Sequence, residues 1–179
     1  GKDILKEIIS RALGEHMVAL NLSFERLTAD HSTVLNGKQL IILNEMILTG
    51  NRVEGKILAN KLKPFFTNDT VTLNPKFKNE ITIPNYALIM CHSNDEKPVK
   101  LEKDDRRFLV LKSQLDKAEV NIEMQKVLPL MKKLKQDPSS FIHYFKEVHE
   151  LPALDYFDGD APHTKSKDSL INIGKQDFE

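Results

Sequence analysis

The sequence has one cysteine, carries no net charge and lacks any long hydrophobic run. Cys91 alone cannot form an intramolecular disulfide, which excludes a disulfide-stapled secreted domain and indicates a reducing, intracellular compartment. The 26 basic and 26 acidic side chains cancel, so no overall field draws the chain toward nucleic acid or an anionic membrane. No apolar stretch approaches the roughly 18 residues of a membrane span. Binding to a charged partner must therefore depend on local clusters.

The composition that remains is that of a folded protein. Of the 179 residues, 40% are apolar and 29% are charged, and there are 7 glycines and 8 prolines, unlike a disordered or collagen-like chain. This length suits one domain with its own core, or one domain with a helical appendage. It is too short for two full domains.

Hydrophobic patterning predicts an α/β sheet in the first two thirds of the chain. Apolar residues at positions 4, 5, 8, 9 and 13 predict a helix that ends at Gly14, and a further helix is predicted over residues 52–66. Alternating residues around Lys76 predict a hairpin of strands 70–73 and 80–83. Short, nearly continuous apolar runs are typical of parallel strands covered on both faces, and they occur at 17–22, 39–43, 86–91 and 108–111.

Beyond residue 115 the pattern changes to charged helices, which we predict at 115–135, 139–151 and 166–173. Strands interleaved with helices and followed by helices indicate an α/β domain with a helical tail. The boundary is predicted at residue 114, with a core domain at 1–114 and a helical C-terminal extension at 115–179.

The chain opens with Gly1-Lys2-Asp3 and passes directly into a predicted helix. In a phosphate-binding loop the last glycine and the lysine stand where the helix starts, so backbone N–H groups and the ammonium converge on the phosphates. A Gly-Lys pair by itself carries little information. Asp3 also departs from the Ser or Thr that normally holds Mg²⁺ at this position.

Two predicted strands end abruptly in polar residues. Asn44 and Glu45 follow the strand 39–43, and Asn94 follows the strand 86–91. At the carboxyl edge of a parallel sheet, Glu45 could polarise a water for attack on a γ-phosphate, and the Asn94 amide could hold that water. The alternative is that both strands simply exit into polar loops. His92 is interpreted as structural, because no second metal ligand stands at a suitable spacing.

Two basic clusters complete the candidate residues. Arg106 and Arg107 precede the apolar run 108–111, and a guanidinium offered to a neighbouring subunit can stabilise the charge of a transferring phosphate. Lys76 and Lys78 flank Phe77 on the predicted hairpin, a pattern suited to a single-stranded backbone and one stacked base. Solvated arginines and a lysine-rich surface loop are the structural alternatives.

Taken in order, these motifs resemble the superfamily 3 helicases of viruses and phages, a branch of the AAA+ ATPases. More narrowly, they are similar to the helicase part of phage primase-helicases, such as the primase-polymerases of deep-sea vent phages. The resemblance covers nearly the whole chain. It rests on Gly1-Lys2, the strand 40–45, the hairpin 73–76, Ser93-Asn94, Asp105-Arg106-Arg107-Phe108 and the tail 154–164.

The resemblance implies a replicative helicase motor that couples ATP hydrolysis to translocation on single-stranded DNA, with ATP and Mg²⁺ as cofactors. By it, Lys2 contacts phosphate beside Gly1, Glu45 is the catalytic base, Asn94 is the sensor, and Arg106 or Arg107 is the arginine finger. The hairpin residues would face DNA in the channel of a homo-hexameric ring. The expected location is the cytoplasm of a phage-infected or prophage-carrying bacterium, with no membrane partner.

Departures from the pattern leave a second interpretation open. Asp3 and Asn44 both replace metal-holding residues, so Mg²⁺ would arrive with ATP and meet Asn44 at most through a water. The alternative is a non-catalytic ring-forming or DNA-binding module with a decayed ATP site. A small-molecule phosphotransferase is disfavoured because its Arg-rich lid has no counterpart.

The resemblance also implies that the strand before the phosphate loop is absent from this chain. That strand would lie between the strand ending near Asn94 and the one starting near Phe108. We therefore expect these 179 residues to belong to a longer polypeptide with an upstream primase or polymerase domain. Expressed alone, they are expected to aggregate or to bind ATP undetectably.

Overall fold

The computed structural model describes residues 2–44, 61–96, 98–99, 101–113, 115–150 and 160–176. Its elements in chain order are α1 (Lys2–Leu13), β1 (Val18–Leu22), α2 (Phe24–Leu27), β2 (Leu40–Leu43), β3 (Thr70–Leu73), β4 (Ile81–Pro84) and β5 (Leu88–Cys91), followed by α4 (Lys117–Gln136), α5 (Ser139–His143) and α6 (Lys165–Gln176). Residues 61–67 are also helical and are called α3. The predicted helix 52–66 is confirmed at 61–66, and its earlier part lies outside the described residues.

The first helix and the first strand are joined by a turn at Gly14. The N–H of Gly14 donates to the carbonyl of Ser10 at 2.9 Å, which closes the last turn of α1. Gly14 has φ of 100°, and a Cβ there would lie 3.0 Å from the ring of His16. Glycine is therefore the residue that suits this helix end, as predicted.

The main sheet has three parallel strands in the order β1-β2-β5. Leu40 of β2 pairs with Val18 of β1 on one side and with Leu88 of β5 on the other. The central strand β2 is buried along its whole length, which explains its continuous apolar sequence. The predicted strands 17–22, 39–43 and 86–91 are thus confirmed, with bounds shorter by one or two residues.

The core lies on both faces of β2 because successive side chains of a strand point in opposite directions. Ile41 and Leu43 belong to a large cluster that includes Val71 and Leu73 of the hairpin. Leu40 and Ile42 belong to a smaller cluster on the other face, against α1. Each fully buried aliphatic side chain contributes about 1.5–3 kcal/mol to folding. The sheet is therefore the stable platform from which the polar strand ends project.

The predicted hairpin is confirmed. β3 and β4 pair antiparallel, with Thr72 opposite Thr82. Val71 and Leu73 of β3 are buried, whereas β4 is largely exposed and packs against the core through Ile83.

The predicted strand at 108–111 is wrong, since these residues have no regular secondary structure. Instead, the carbonyl of Arg106 accepts a hydrogen bond from the N–H of Ala161 at 2.6 Å, and the carbonyl of Val110 accepts one from Oγ1 of Thr164 at 2.6 Å. Residues 161–164 thus donate hydrogen bonds to backbone carbonyls that a neighbouring strand of a sheet would otherwise have paired. The ring of Phe108 packs edge-to-face on Phe66.

The C-terminal helices largely follow the prediction. α4 begins with a capping box in which Asp116 and Glu119 each accept the other's backbone N–H. The predicted helix 139–151 is shorter, because α5 passes into a π-helical turn at Tyr144–Val148. α6 places Leu170 and Ile171 in the large core cluster. The boundary at residue 114 stays a prediction. Within the described ranges, no helix has the length and apolar character needed to span a membrane.

Candidate functional site at the carboxyl edge of the sheet

The carboxyl ends of the three parallel strands gather polar residues at one edge of the sheet. Asn21 lies near the end of β1, Asn44 follows β2, and His92 follows β5. His92 is tied to this edge by its N–H, which donates to the carbonyl of Leu43 at 2.9 Å. The amino end of α1 lies at the same edge. Lys6, in the second turn of this helix, contacts Asn21 and Asn44 at the strand ends. This edge is the usual position of ligand sites in open α/β sheets.

Lys6 is the centre of a hydrogen-bonded network at this edge. Its ammonium is buried and donates to Oδ1 of Asn21 at 2.6 Å and to Oδ1 of Asn44 at 3.3 Å. The side-chain amide of Asn44 also donates to Oδ1 of Asn21 at 2.6 Å. Asn21 has a positive φ of 55°, a conformation that asparagine tolerates better than most residues. The network joins α1, β1 and β2.

Asp3 completes the network on the solvent side. One carboxylate oxygen of Asp3 lies 2.6 Å from the Lys6 ammonium, three residues along the helix. The hydrogen bond from Lys6 and its positive charge lower the pKa of the Asp3 carboxyl below its usual value. An acidic group in the first turn of a helix is also favoured by the helix dipole. Asp3 is therefore an anion that is already paired.

The described residues do not fit a Mg²⁺ ion held by the protein. Mg²⁺ prefers one or two carboxylates that are free to coordinate it, together with substrate phosphates. At this edge Asp3 is paired with an ammonium, and the Asn44 oxygen accepts from the same ammonium. In the described part of the chain no cluster of three His, Cys, Asp or Glu side chains is suited to a metal.

The structure brings part of the predicted site together. Asp3 and Asn44 share the Lys6 network, and Asn94 follows β5 at the same edge. Gly1 and Glu45 lie outside the described residues. Of Lys2 the structure describes the backbone, as the first residue of α1.

Sequence reasoning missed Lys6 and Asn21. The available signals were weak: Lys6 stands three residues after Asp3, a common ion-pair spacing on helices, and Asn21 interrupts an apolar strand. Neither signal indicates that the two side chains meet.

The two adjacent arginines have different surroundings. Nη1 of Arg107 lies 3.6 Å from the buried carboxylate of Asp105, and its side chain is 29% exposed. The side chain of Arg106 is 67% exposed and lies 3.9 Å from Asp160, which is equally exposed. Arg106 is therefore the arginine that is accessible to another molecule.

The tip of the hairpin presents an aromatic ring to solvent. Phe77 is 94% exposed and has a positive φ of 63°. The ammonium of Lys76 lies 4.9 Å from the centre of its ring, within the range of a cation–π contact. At the base of the loop, the carbonyl of Asn74 contacts Nδ1 of His31 at 3.0 Å. The ring is thus held outside the core by a well-anchored loop.

Comparison with known proteins places this architecture in a family. The sequence profile of a family of unknown function (DUF5906) matches residues 1–107, more than half of the chain. The chain belongs to this family. The DNA primase-polymerase of Nitratiruptor phage NrS-1 is 32% identical over 111 residues, which are 62% of this chain and 15% of the phage protein. The chain therefore spans a small part of that relative.

Solved structures support the fold. The apo structure of the C-terminal region of NrS-1 superposes with a TM-score of 0.74 at 20% identity, covering 97% of this chain and 40% of that one. Its A form gives a TM-score of 0.66 at 18% identity, with 97% and 39% covered. The predicted relationship to phage primase-polymerases is confirmed, as is a mixed α/β fold with a parallel sheet.

Proposed function

We propose that this DUF5906 chain is part of a phage-type replication protein that binds single-stranded DNA through its β3–β4 hairpin and hydrolyses ATP at the carboxyl edge of its sheet. The name of the NrS-1 relative, a DNA primase-polymerase, supports a role in replication. The observation that carries the DNA-binding part is the exposed ring of Phe77 between two lysines.

The conformation of Phe77 favours a binding role over a packing role. Burying a phenylalanine contributes to stability, yet this ring is almost wholly in water. A positive φ additionally costs an L-residue roughly 1–2 kcal/mol, and the hairpin gains no core contact in return. A base stacked on such a ring contributes about 1–3 kcal/mol to binding, and Lys76 and Lys78 supply charge for the phosphates. Single-stranded DNA is the partner that uses all three residues.

The ATP site is proposed at the amino end of α1. Lys2 would contact the phosphates beside Gly1, Glu45 would take a proton from the attacking water, and Asn94 would orient that water. Arg106 would act on ATP bound to a neighbouring subunit of a homo-hexameric ring. ATP would bring its own Mg²⁺, which would meet Asn44 through a water. An upstream primase or polymerase domain of the same polypeptide is proposed as the physical partner.

A second candidate is a non-catalytic DNA-binding or ring-forming module, and the Lys6 network favours it. At this edge Asp3 and Asn44 stand where a metal-assisting hydroxyl and carboxylate are expected, and both contact Lys6. Such a site would retain phosphate binding without efficient hydrolysis.

The DNA-binding part is tested in the full-length protein by replacing Lys76 and Lys78 with alanine. Each lost phosphate contact lowers the salt dependence of single-stranded binding by roughly 0.7 in log–log slope. Lys132→Ala/Lys133→Ala is the matched control, because these two lysines are exposed on α4. If the hairpin variant and the wild type showed the same salt-dependence slope, DNA would bind at another surface of the protein.

The ATP part is tested by Glu45→Gln. If Glu45 handles the proton, turnover is lost while ATP still binds. Glu25→Gln, at an exposed position of α2, is the control. A wild-type protein that binds ATP but does not turn it over with single-stranded DNA present would favour the non-catalytic module.

A further inference from the structure

We propose that Lys167 of α6 is a positioning residue for Arg106: its ion pair with Asp105 holds the turn 105–108 so that Arg107 faces inward and Arg106 faces outward. The inference rests on the proposed function, in which Arg106 acts on ATP of a neighbouring subunit. It adds a role for the C-terminal helix, which lies 60 residues further along the chain.

Lys167 is buried to an unusual degree for a lysine. Its side chain is 1% exposed, and its ammonium lies 3.5 Å from Oδ1 of Asp105. Within the described residues this ammonium has no hydrogen-bond partner. A buried ammonium with a single long ion pair recovers little of its lost hydration. Stability alone does not explain a charged residue at this position.

Asp105 is the residue that shapes the arginine turn. Its Oδ1 accepts the backbone N–H groups of Arg107 and Phe108, both at 3.0 Å. Its Oδ2 faces the Arg107 guanidinium at 3.6 Å. The carboxylate is 8% exposed, so its position depends on the charges packed around it, Lys167 among them.

The turn directs the two arginines to opposite sides. Arg107 is drawn to Asp105, whereas Arg106 has its exposed contact with Asp160 at 3.9 Å. The backbone of Arg106 is held as well, because its carbonyl accepts the N–H of Ala161. Residues 160–167 therefore contact the turn at three points. One is the contact of Asp160 with the Arg106 side chain, and the other two are made to the Arg106 carbonyl and to the Asp105 carboxylate.

Replacing Lys167 alone removes one of several partners of Asp105. Removing one member of a buried ion pair destabilises a protein because it leaves the other charge uncompensated, but Asp105 keeps two backbone N–H donors and the Arg107 guanidinium. Lys167→Met keeps the length and much of the volume of the side chain and removes the charge. The two roles thus predict different results: a structural role lowers turnover only through unfolding, whereas a positioning role lowers turnover in a protein that is still folded at the assay temperature.

The experiment measures ATP turnover with single-stranded DNA in the full-length protein. Arg106→Ala is expected to lower turnover by about 10³-fold or more, as for other arginine fingers. Lys167→Met is expected to lower it about tenfold while the protein stays folded at the assay temperature, and Lys167→Arg, which keeps the charge, is expected to keep wild-type turnover. Lys165→Met, at an exposed position of the same helix, is the control.

The decisive measurement is the double variant Lys167→Met/Arg106→Ala. If Lys167 acts through Arg106, the double variant is no slower than Arg106→Ala, because the losses are not additive. Losses that multiply, or wild-type turnover in Lys167→Met beside an inactive Arg106→Ala, would overturn the inference and leave the proposed function intact. Unchanged turnover in Arg106→Ala would overturn the proposed role of Arg106 and this inference with it. Should Lys167→Met melt below the assay temperature, Lys167→Gln carries the same expectation.

Discussion

The side-chain ammonium of Lys6 donates a hydrogen bond to Oδ1 of Asn21 at 2.6 Å and so ties the first helix to the end of the first strand. The same ammonium contacts Asn44 and Asp3. A single buried lysine therefore organises the edge at which we place the ATP site.

Lys6→Met should destabilise the protein by about 1–3 kcal/mol, because the side-chain oxygens of Asn21 and Asn44 each lose a charged donor. Urea unfolding measures the change. Arg11→Met is the matched control, since Arg11 is exposed on the same helix. Equal unfolding midpoints for both variants would show that the network does not support the fold.

The lowered pKa of Asp3 predicts a specific dependence of stability on pH. A carboxyl whose pKa is lower in the folded state stabilises the fold above its unfolded pKa of about 3.9. This contribution is lost as the pH falls through the folded pKa. Between pH 7 and pH 3, Asp3→Asn should therefore lose less Tm than the wild type. Asp30→Asn, at an exposed position, is the control; an acid sensitivity of Asp3→Asn equal to that of the wild type would contradict the ion pair.

The ring of Phe77 should contribute to DNA binding but not to the stability of the fold. Phe77→Ala is expected to weaken single-stranded DNA binding by roughly 5- to 150-fold, the loss of one stacked base. Its free energy of unfolding should stay within about 0.5 kcal/mol of the wild type, because the ring is exposed. Phe77→Gly should be more stable than Phe77→Ala by up to about 1 kcal/mol, since glycine adopts the positive φ freely. Fluorescence anisotropy and urea unfolding check the two expectations.

The thiol of Cys91 should react slowly with disulfide reagents. Burial raises the pKa of this thiol to about 12. At pH 8 the reactive thiolate is then scarcer by on the order of 10³ than in an unfolded chain, where the pKa is about 8.5. A disulfide reagent should react correspondingly slowly in buffer and rapidly in urea. Similar rates under both conditions would contradict the desolvation of this thiol.

The edge of β5 predicts the behaviour of the isolated 179 residues. In the described sheet β5 pairs with β2 alone, and Leu88 on it is 65% exposed. An open apolar edge promotes association between chains. We expect the 179-residue chain to aggregate, and Leu88→Lys to increase its soluble fraction in sedimentation. A wild-type segment that is monomeric at the same concentration would remove this explanation.

Much of the fold was predictable because its elements are locally encoded. The helical spacing of α1, the stop at Gly14 and the apolar runs of β1, β2 and β5 depend on neighbouring residues, so the patterns predict them well. The hairpin was predictable for the same reason. The prediction of a strand at 108–111 failed because only part of the run is covered. Phe108 packs against Phe66, whereas Leu109 and Leu111 are exposed.

The candidate site divides in a similar way. The polar residues Asn44 and Asn94 were predictable at strand ends, as were the basic hairpin and the pair of arginines. Lys6 and Asn21 are 15 residues apart and meet only when α1 packs across the sheet. No local pattern reports such a contact.

Local sequence patterns encode most of the helices and the strands of both sheets, because periodicity and turn chemistry act over a few neighbouring positions. Tertiary packing is what places Arg106 beside Asp160 and Lys167 beside the buried carboxylate of Asp105. These outcomes depend on contacts between segments about 60 residues apart. Such contacts form only once the core has brought α6 against residues 105–110. A pattern of neighbouring residues therefore does not report them.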